Sequence, residues 1–302
     1  MGPANFADVG RFMLVNPVAR KLVAAADARL GYPLVDRFGQ TPGDYSEYAQ
    51  VAFFVNCLAL AEWAGREFGV EPDVAVGPSF GEKPLTAFVQ TLPFEEAVWM
   101  TARLARILEE YFATEHTDLV THSFVRTPWE RLHGEVLSHW EEQGLWYDVS
   151  CRVDDDFHMI TVHERNLDAL SDAVRGLGGL NLYTMRPPMH SSAFGSLRRK
   201  CEDEVIGDLE FRDPKIPVLA DQDGSEATDG EAVRAMLLDS FVRPVRWPDV
   251  VAGLRRAGVG RLCVAGADGM FGRVPVTRNA FEVLAVDPRL AMQPRRRGAA
   301  AP

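Results

Sequence analysis

Apolar residues recur at helical spacing through most of the first third of the chain. Val18 to Leu30 reads as an amphipathic helix stopped by Gly31. Tyr45 to Phe68 carries Val51, Ala52, Phe53, Phe54, Val55, Leu58, Leu60, Ala61 and Trp63, which is apolar nearly all round and predicts a buried helix. Asp73 to Val76 is a short strand-like run. Leu85 to Val89 and Phe94 to Tyr111 return to helical period, with Glu95 and Glu96 placed early, where the helix dipole favours acids. From about Thr117 the texture changes. Leu119 to Val125 reads as a strand, Trp129 to Trp140 as a helix, and Leu145 to Val153 with Met159 to His163 as two strands around Asp154-Asp155-Asp156. Asn166 to Leu177 is then a helix closed by Gly178-Gly179, and Leu180 to Met185 a last strand. The order βαββαβ predicts a split, ferredoxin-like unit. Beyond it the chain regains its first character, with a strand at Ile216 to Leu219, helices at Gly230 to Phe241 and Trp247 to Ala257, and a strand at Arg261 to Ala265.

The pattern therefore predicts one large α/β subdomain of the α/β-hydrolase-like kind in two segments, 1–116 and 190–292. A ferredoxin-like small subdomain, 117–189, interrupts it, and 293–302 is expected to be a disordered tail. At its centre stands Val74-Ala75-Val76-Gly77-Pro78-Ser79-Phe80-Gly81-Glu82, a strand running through a G-x-S-x-G turn into a helix. Such a turn holds a serine hydroxyl clear of the backbone and aims the Phe80 N–H where an oxyanion would form. The competing reading is a Gly/Ser turn with a solvated hydroxyl. The seven histidines offer a base for Ser79. His116, His122, His133, His139, His158 and His163 fall in or beside the inserted unit, where a surface or packed role is the simpler expectation. His190 lies on the Pro-rich loop Arg186-Pro187-Pro188-Met189, where the chain returns to the large subdomain, and can face the elbow across a cleft.

Composition narrows the function further. The chain has 302 residues, 47% of them hydrophobic and 25% charged, and a formal charge of −11, which argues against nucleic acid as a partner. No apolar run is long enough to span a membrane and no signal-peptide pattern is present, so a cytoplasmic location is expected. Cys57, Cys151, Cys201 and Cys263 lie far apart, which predicts free thiols and no metal site.

Elbow and histidine together resemble the malonyl-CoA:acyl-carrier-protein acyltransferase family. Its G-H-S-x-G-E elbow is similar to Gly77 to Glu82, and its catalytic histidine, in a loop just after a ferredoxin-like insertion, is similar to His190. Tyr48-Ala49-Gln50 resembles the T-Q-P at the start of a buried helix, Phe241 to Trp247 the late N-P-V-x-W stretch, and Gly258 to Gly269 the closing glycine-rich strand and loop. The resemblance implies a serine acyltransferase with no bound cofactor. Ser79 and His190 would pass an acyl group between the phosphopantetheine arm of an acyl carrier protein, or CoA, and a second carrier, in a monomer. It further implies that a backbone carbonyl of the N-P-V stretch, placed at Arg243, orients the histidine.

Three departures from the family bear on substrate and mechanism. Where the family carries an arginine for the malonyl carboxylate, an ungapped count from Ser79 reaches Leu104, although a one-residue shift would restore Arg103. A leucine there favours an acyl group without that charge, because a buried carboxylate without a partner is costly. Pro188 and Met189 before His190 imply a differently shaped acyl pocket. Met1 falls on the position of the glutamine whose N–H completes the oxyanion hole, so either a strand is missing upstream or the hole is impaired. Stand-alone members without the arginine resemble the trans-acting enzymes of macrolactam polyketide pathways, antibiotic biosynthesis included, that move aminoacyl or dipeptidyl groups between carriers. Malonyl transfer and a hydrolase or editing thioesterase remain the alternatives. Arg198, Arg199 and Lys200 offer a docking patch for an acidic carrier, or simply a solvated helix face.

Overall fold

The computed structural model describes residues 5–41 and 45–293. Met1, and the tail after Gln293, lie outside the described residues. Its first layer is helical: α1 (Phe6–Val15), α2 (Pro17–Leu30), α3 (Leu34–Gln40) and α4 (Glu47–Phe68). The buried Asn16 both ends α1 and caps α2, its side-chain oxygen accepting from the N–H groups of Val18 and Ala19, just after the Pro17 that opens the helix. Ser46 caps α4 and Gly69 closes it in the left-handed conformation. As its composition predicts, α4 buries residues on all sides, from Ala49 to Ala64. It packs against α6 (Phe94–Thr114), which follows α5 (Glu82–Phe88).

The inserted unit has the expected order: β1 (Leu119–Val125), α7 (Trp129–Leu132), α8 (Ser138–Glu142), β2 (Tyr147–Asp154), β3 (Phe157–His163), α9 (Leu167–Gly176) and β4 (Leu180–Met185). The helix predicted over 129–140 contains a π turn at His133–Leu137 between α7 and α8. The strands form an antiparallel sheet in the order β4-β1-β3-β2, a ferredoxin-like arrangement. Alternation along β1 divides its faces: Val120 and Phe124 join a separate apolar core with Leu132, Leu137, Trp140, Ile160, Leu170 and Val174. On the opposite side Cys151, Val153, Met159 and Met185 pack into the main core of the large subdomain.

The large subdomain is less regular. After α10 (Gly195–Cys201), β5 (Val218–Leu219) pairs with β6 (Glu226–Ala227), and α11 (Gly230–Asp239) leads to β7 (Val245–Arg246). β7 joins β2 in parallel, adding a fifth strand from the large subdomain to the small subdomain's sheet. α12 (Trp247–Arg256) follows, and β8 (Arg261–Ala265) pairs in parallel with β9 (Glu282–Val286). The strand expected at Asp73 to Val76 is reduced to one parallel bridge between Ala75 and Val218, in which the Ala75 N–H donates to the Pro217 carbonyl and the Leu219 N–H to the Ala75 carbonyl. Among the described residues no strand joins this bridge to β8.

The shared cap gives a direct test of this assembly. Asn16→Ala should lower stability by about 1–2 kcal/mol in urea unfolding, because it orphans two buried donors at once. An unchanged midpoint would show that the α1–α2 junction does not depend on that side chain.

Candidate active site

At the elbow, the chain passes from the Ala75 bridge through Gly77-Pro78 into a single 3-10 turn, Ser79–Gly81, and directly into α5. Ser79 itself adopts the left-handed conformation, with φ 56°. A β-carbon on Gly77 would lie 2.2 Å from the Gly81 carbonyl oxygen and 2.9 Å from Leu85 Cβ. Gly81 has an ordinary φ of −69°, and its nearest neighbour would be Pro78 Cδ at 3.6 Å. Of the two glycines in the motif, only the first is therefore demanded by space.

Ser79 Oγ lies 2.8 Å from His190 Nε2, and His190 Nδ1 lies 2.6 Å from the carbonyl oxygen of Ser240. A carbonyl only accepts, so Nδ1 carries the proton and the Nε2 lone pair faces the serine hydroxyl. Burial pushes the His190 pKa down to about 4, opposed by the Ser240 carbonyl and assisted by the nearby Lys83 ammonium. The imidazole is thus held neutral, as a base for Ser79 requires. Its orienting carbonyl belongs to Ser240, not to Arg243 as expected. The chain caps α11 at Ser240 and turns there, with Val242 and Arg243 N–H groups bonded back to the Asp239 carbonyl, which leaves the Ser240 carbonyl free to face the loop. Arg243 instead uses its guanidinium, bonding Asp223 at 2.7 Å and Asp239 at 3.4 Å.

The histidine loop is fastened mainly to the small subdomain. Ser150 on β2 donates to the Met189 carbonyl at 2.6 Å, and Met189 N–H reaches Thr121 on β1 at 3.4 Å. Asp148 Oδ2 accepts from the Ser191 hydroxyl and from both the amide and hydroxyl of Ser192. Ser191 N–H bonds the Phe241 carbonyl, next to the one that orients His190. His190, too, has a left-handed backbone, with φ 55°.

Two features of the site have no counterpart among the expectations. The amide of Ser79 donates to Asp221 Oδ2 at 2.7 Å and is thereby taken, which leaves the Phe80 N–H as the candidate oxyanion donor at the elbow. Lys83, one turn beyond the serine, is buried: Nζ donates to Gln50 Oε1 at 2.8 Å and lies 5.0 Å from the Phe80 ring centroid. Burial lowers its pKa to about 8. Its place four residues after Ser79, in the first turn of a short helix that runs on into the mostly apolar Leu85 to Phe88, was the signal available in the sequence. Asp221, 142 positions from Ser79, offered none.

Leu104 is completely buried in α6 and shares one apolar core with Phe80 and Met189, while Pro188, next to Met189 in the chain, is also buried. Arg103 is half-buried, and Arg106 is committed to Glu47 in a two-pronged ion pair. In the basic run, Arg198 pairs with Glu202 and Asp239 and Lys200 with Glu204; Arg199 is exposed. His122, His158 and His163 bond Asn181, the Thr127 carbonyl and Asp118 respectively, all away from the dyad. All four cysteines are free. Among the described residues, no group of three or more His, Cys, Asp or Glu is placed to hold a metal, and no helix is long and apolar enough to cross a membrane.

The fold matches that of an acyl-carrier-protein S-malonyltransferase from Burkholderia pseudomallei with a TM-score of 0.83, at 16% identity, covering 96% of this chain and 95% of that one. A malonyl-transacylase bound to a type II polyketide synthase acyl-carrier protein superposes with a TM-score of 0.81 at 21% identity, over 95% and 93% of the two chains. In sequence the chain is 22% identical over 263 residues to the malonyl CoA-acyl carrier protein transacylase of Escherichia coli K12, 83% of this chain and 81% of that protein. The fold is therefore that of the malonyl-CoA–acyl carrier protein transacylases, and the sequence is similar to one of them over 83% of this chain. The particular likeness is in the small subdomain, where residues 123–185 match the VinK acyltransferase small domain.

The two glycines of the elbow should respond differently to a methyl group. Gly77→Ala is expected to cost about 3 kcal/mol or more, or to prevent folding, because backbone atoms cannot give way. Gly81→Ala should leave stability unchanged or raise it by up to about 1 kcal/mol. Urea unfolding of both proteins checks the pair.

Proposed function

We propose that this protein transfers an acyl group from a phosphopantetheine thioester to the thiol of an acyl carrier protein through an acyl-Ser79 intermediate. The observation that carries this reading is the bonded series Ser79 Oγ, His190, Ser240 carbonyl. In the first step the Ser79 proton passes to His190 Nε2 as Oγ bonds to the thioester carbon, and the departing thiolate takes that proton back. In the second, the acceptor thiol gives its proton to Nε2, its sulfur bonds to the acyl carbon, and Ser79 Oγ leaves and is reprotonated. The Phe80 N–H is the proposed stabiliser of both tetrahedral oxyanions. Arg199, the member of the basic run without an ion pair among the described residues, is the proposed contact for an acidic carrier.

Two readings of the acyl group are each favoured by a residue. An uncharged aminoacyl or dipeptidyl group, as moved by the vicenistatin-pathway dipeptidyl acyltransferase that this chain resembles, is supported by the apolar, fully buried Leu104. Malonyl transfer is supported by Lys83, a buried cation near the dyad with a neutral acceptor, Gln50, as its hydrogen-bond partner. The same ammonium opposes protonation of His190 and so helps to keep the base neutral.

Intact mass after incubation with acyl carriers and acyl-CoAs is expected to show one acyl adduct on the wild type, none on Ser79→Ala, and a greatly slowed appearance on His190→Ala. Because the depressed pKa of His190 keeps the base neutral above it, loading should stay level from about pH 7 to about pH 5 and fall as the pH approaches 4. An acid limb at the ordinary histidine value would show that His190 is solvated and not the base described. The acyl group is decided by side-by-side loading of malonyl-CoA and an aminoacyl carrier. On the first reading the wild type rejects malonyl by about a hundredfold, and Leu104→Arg raises malonyl loading. On the second the wild type loads malonyl, and Lys83→Met loses it by a similar factor.

A further inference from the structure

Behind the nucleophile two carboxyl groups lie completely out of water. Glu82, the first residue of α5, and Asp221, just after β5, are each about 1% exposed and lie close enough for each to act on the other's ionisation. One oxygen of each is already served. Asp221 Oδ2 accepts the Ser79 N–H at 2.7 Å, and Glu82 Oε1 accepts from Gln222 Nε2 at 3.0 Å. The orientation of the Gln222 amide is fixed, because its Nε2 also faces the Met236 carbonyl, which cannot donate. What remains is one oxygen on each side, Glu82 Oε2 and Asp221 Oδ1, both buried and without a donor. Two bare carboxylates cannot face one another in such a place, and one proton between them would satisfy both oxygens.

We propose that Glu82 is a carboxylic acid that donates to the Asp221 carboxylate, and that this proton-sharing pair is the positioning device holding the amide of Ser79 in its left-handed turn. The charges around the pair fit that division. Burial raises the pKa of both groups, Asp221 to about 6 and Glu82 well above the usual carboxylate range; Arg243 then favours the ionised form of Asp221, while Asp221 adds to the preference of Glu82 for its acid form. Lys83 also faces Glu82, the thiol of Cys151 faces Asp221, and Ser240, whose hydroxyl already donates to the Leu237 carbonyl, lies beside Glu82. Ser240 also supplies the carbonyl for His190, so the pair is in contact with the supports of both members of the dyad.

The device deepens the acyl-serine reading and rests on it for its purpose, but its existence can be measured without turnover. Infrared spectra of the full chain at neutral pH should contain the C=O stretch of a buried carboxylic acid, present also in Ser79→Ala and missing from Glu82→Gln. It should be missing from Asp221→Asn as well, where the amide donates to Glu82 and lets it ionise. Acyl loading should fall about tenfold in Glu82→Leu and recover most of that loss in Glu82→Gln, whose N–H replaces the acid proton. In the wild type, loading should also decline at alkaline pH as the shared proton is lost, a limb that Glu82→Gln lacks. Absence of the acid band from the wild type, or its persistence in Glu82→Gln, overturns the proposal. A wild type that shows the band yet forms no acyl-serine with any donor leaves the pair standing and removes the acyltransferase reading instead.

Discussion

The site depends on holding two ordinary side chains at backbone angles they disfavour. Ser79 and His190 both have φ near +55°, a region that costs a residue with a β-carbon about 1–3 kcal/mol. Neither is near the other in sequence, and each needs its own restraint. At Ser79 the restraint is the clearance at Gly77 together with an amide bonded to Asp221. At His190 it is the clasp of the following serines on Asp148 and the ring's bond to Ser240. The 2.8 Å contact between hydroxyl and imidazole is the product of these separate anchorages.

Desolvation acts on the site in two directions. It drives His190 towards its neutral form and also lowers the pKa of Lys83, but the lysine, with a value of about 8, keeps its charge at neutral pH. A base that stays neutral thus shares the interior with a cation that does not give its proton up. On a chain of net charge −11, many of the cations are already engaged by nearby acids. Glu202 and Glu204, four residues beyond Arg198 and Lys200, reduce the basic run largely to Arg199.

The small subdomain was the most legible part of the sequence, and the reason is physical. Its strands alternate, its helices are closed by glycines, and it has its own apolar core, so local pattern and final structure agree. The large sheet was not legible to the same degree. Its strands are one- and two-residue pairings whose partners lie far along the chain, as with Ala75 and Val218, and α1 and β9 passed unread. The elbow serine and the loop histidine could be read because their chemistry resides in side chains. Ser240 could not, since the group it contributes is a carbonyl that every residue possesses; only the turn after α11 selects it. The acid spacing that engages Arg198 and Lys200 was in plain view, by contrast, and it favours the solvated-face reading for most of that run.

The fastening of the His190 loop to Thr121, Ser150 and Asp148 divides the machinery between two bodies. The hydroxyl is mounted on the helical body and the imidazole on a loop fastened chiefly to the ferredoxin-like sheet, and β7 is the short splice that keeps the two in register. In mechanical terms the dyad is a gauge laid across a seam. Its gap reads any slip of one body against the other, and a macromolecule leaning on the small subdomain alone would move the imidazole before it moved the hydroxyl.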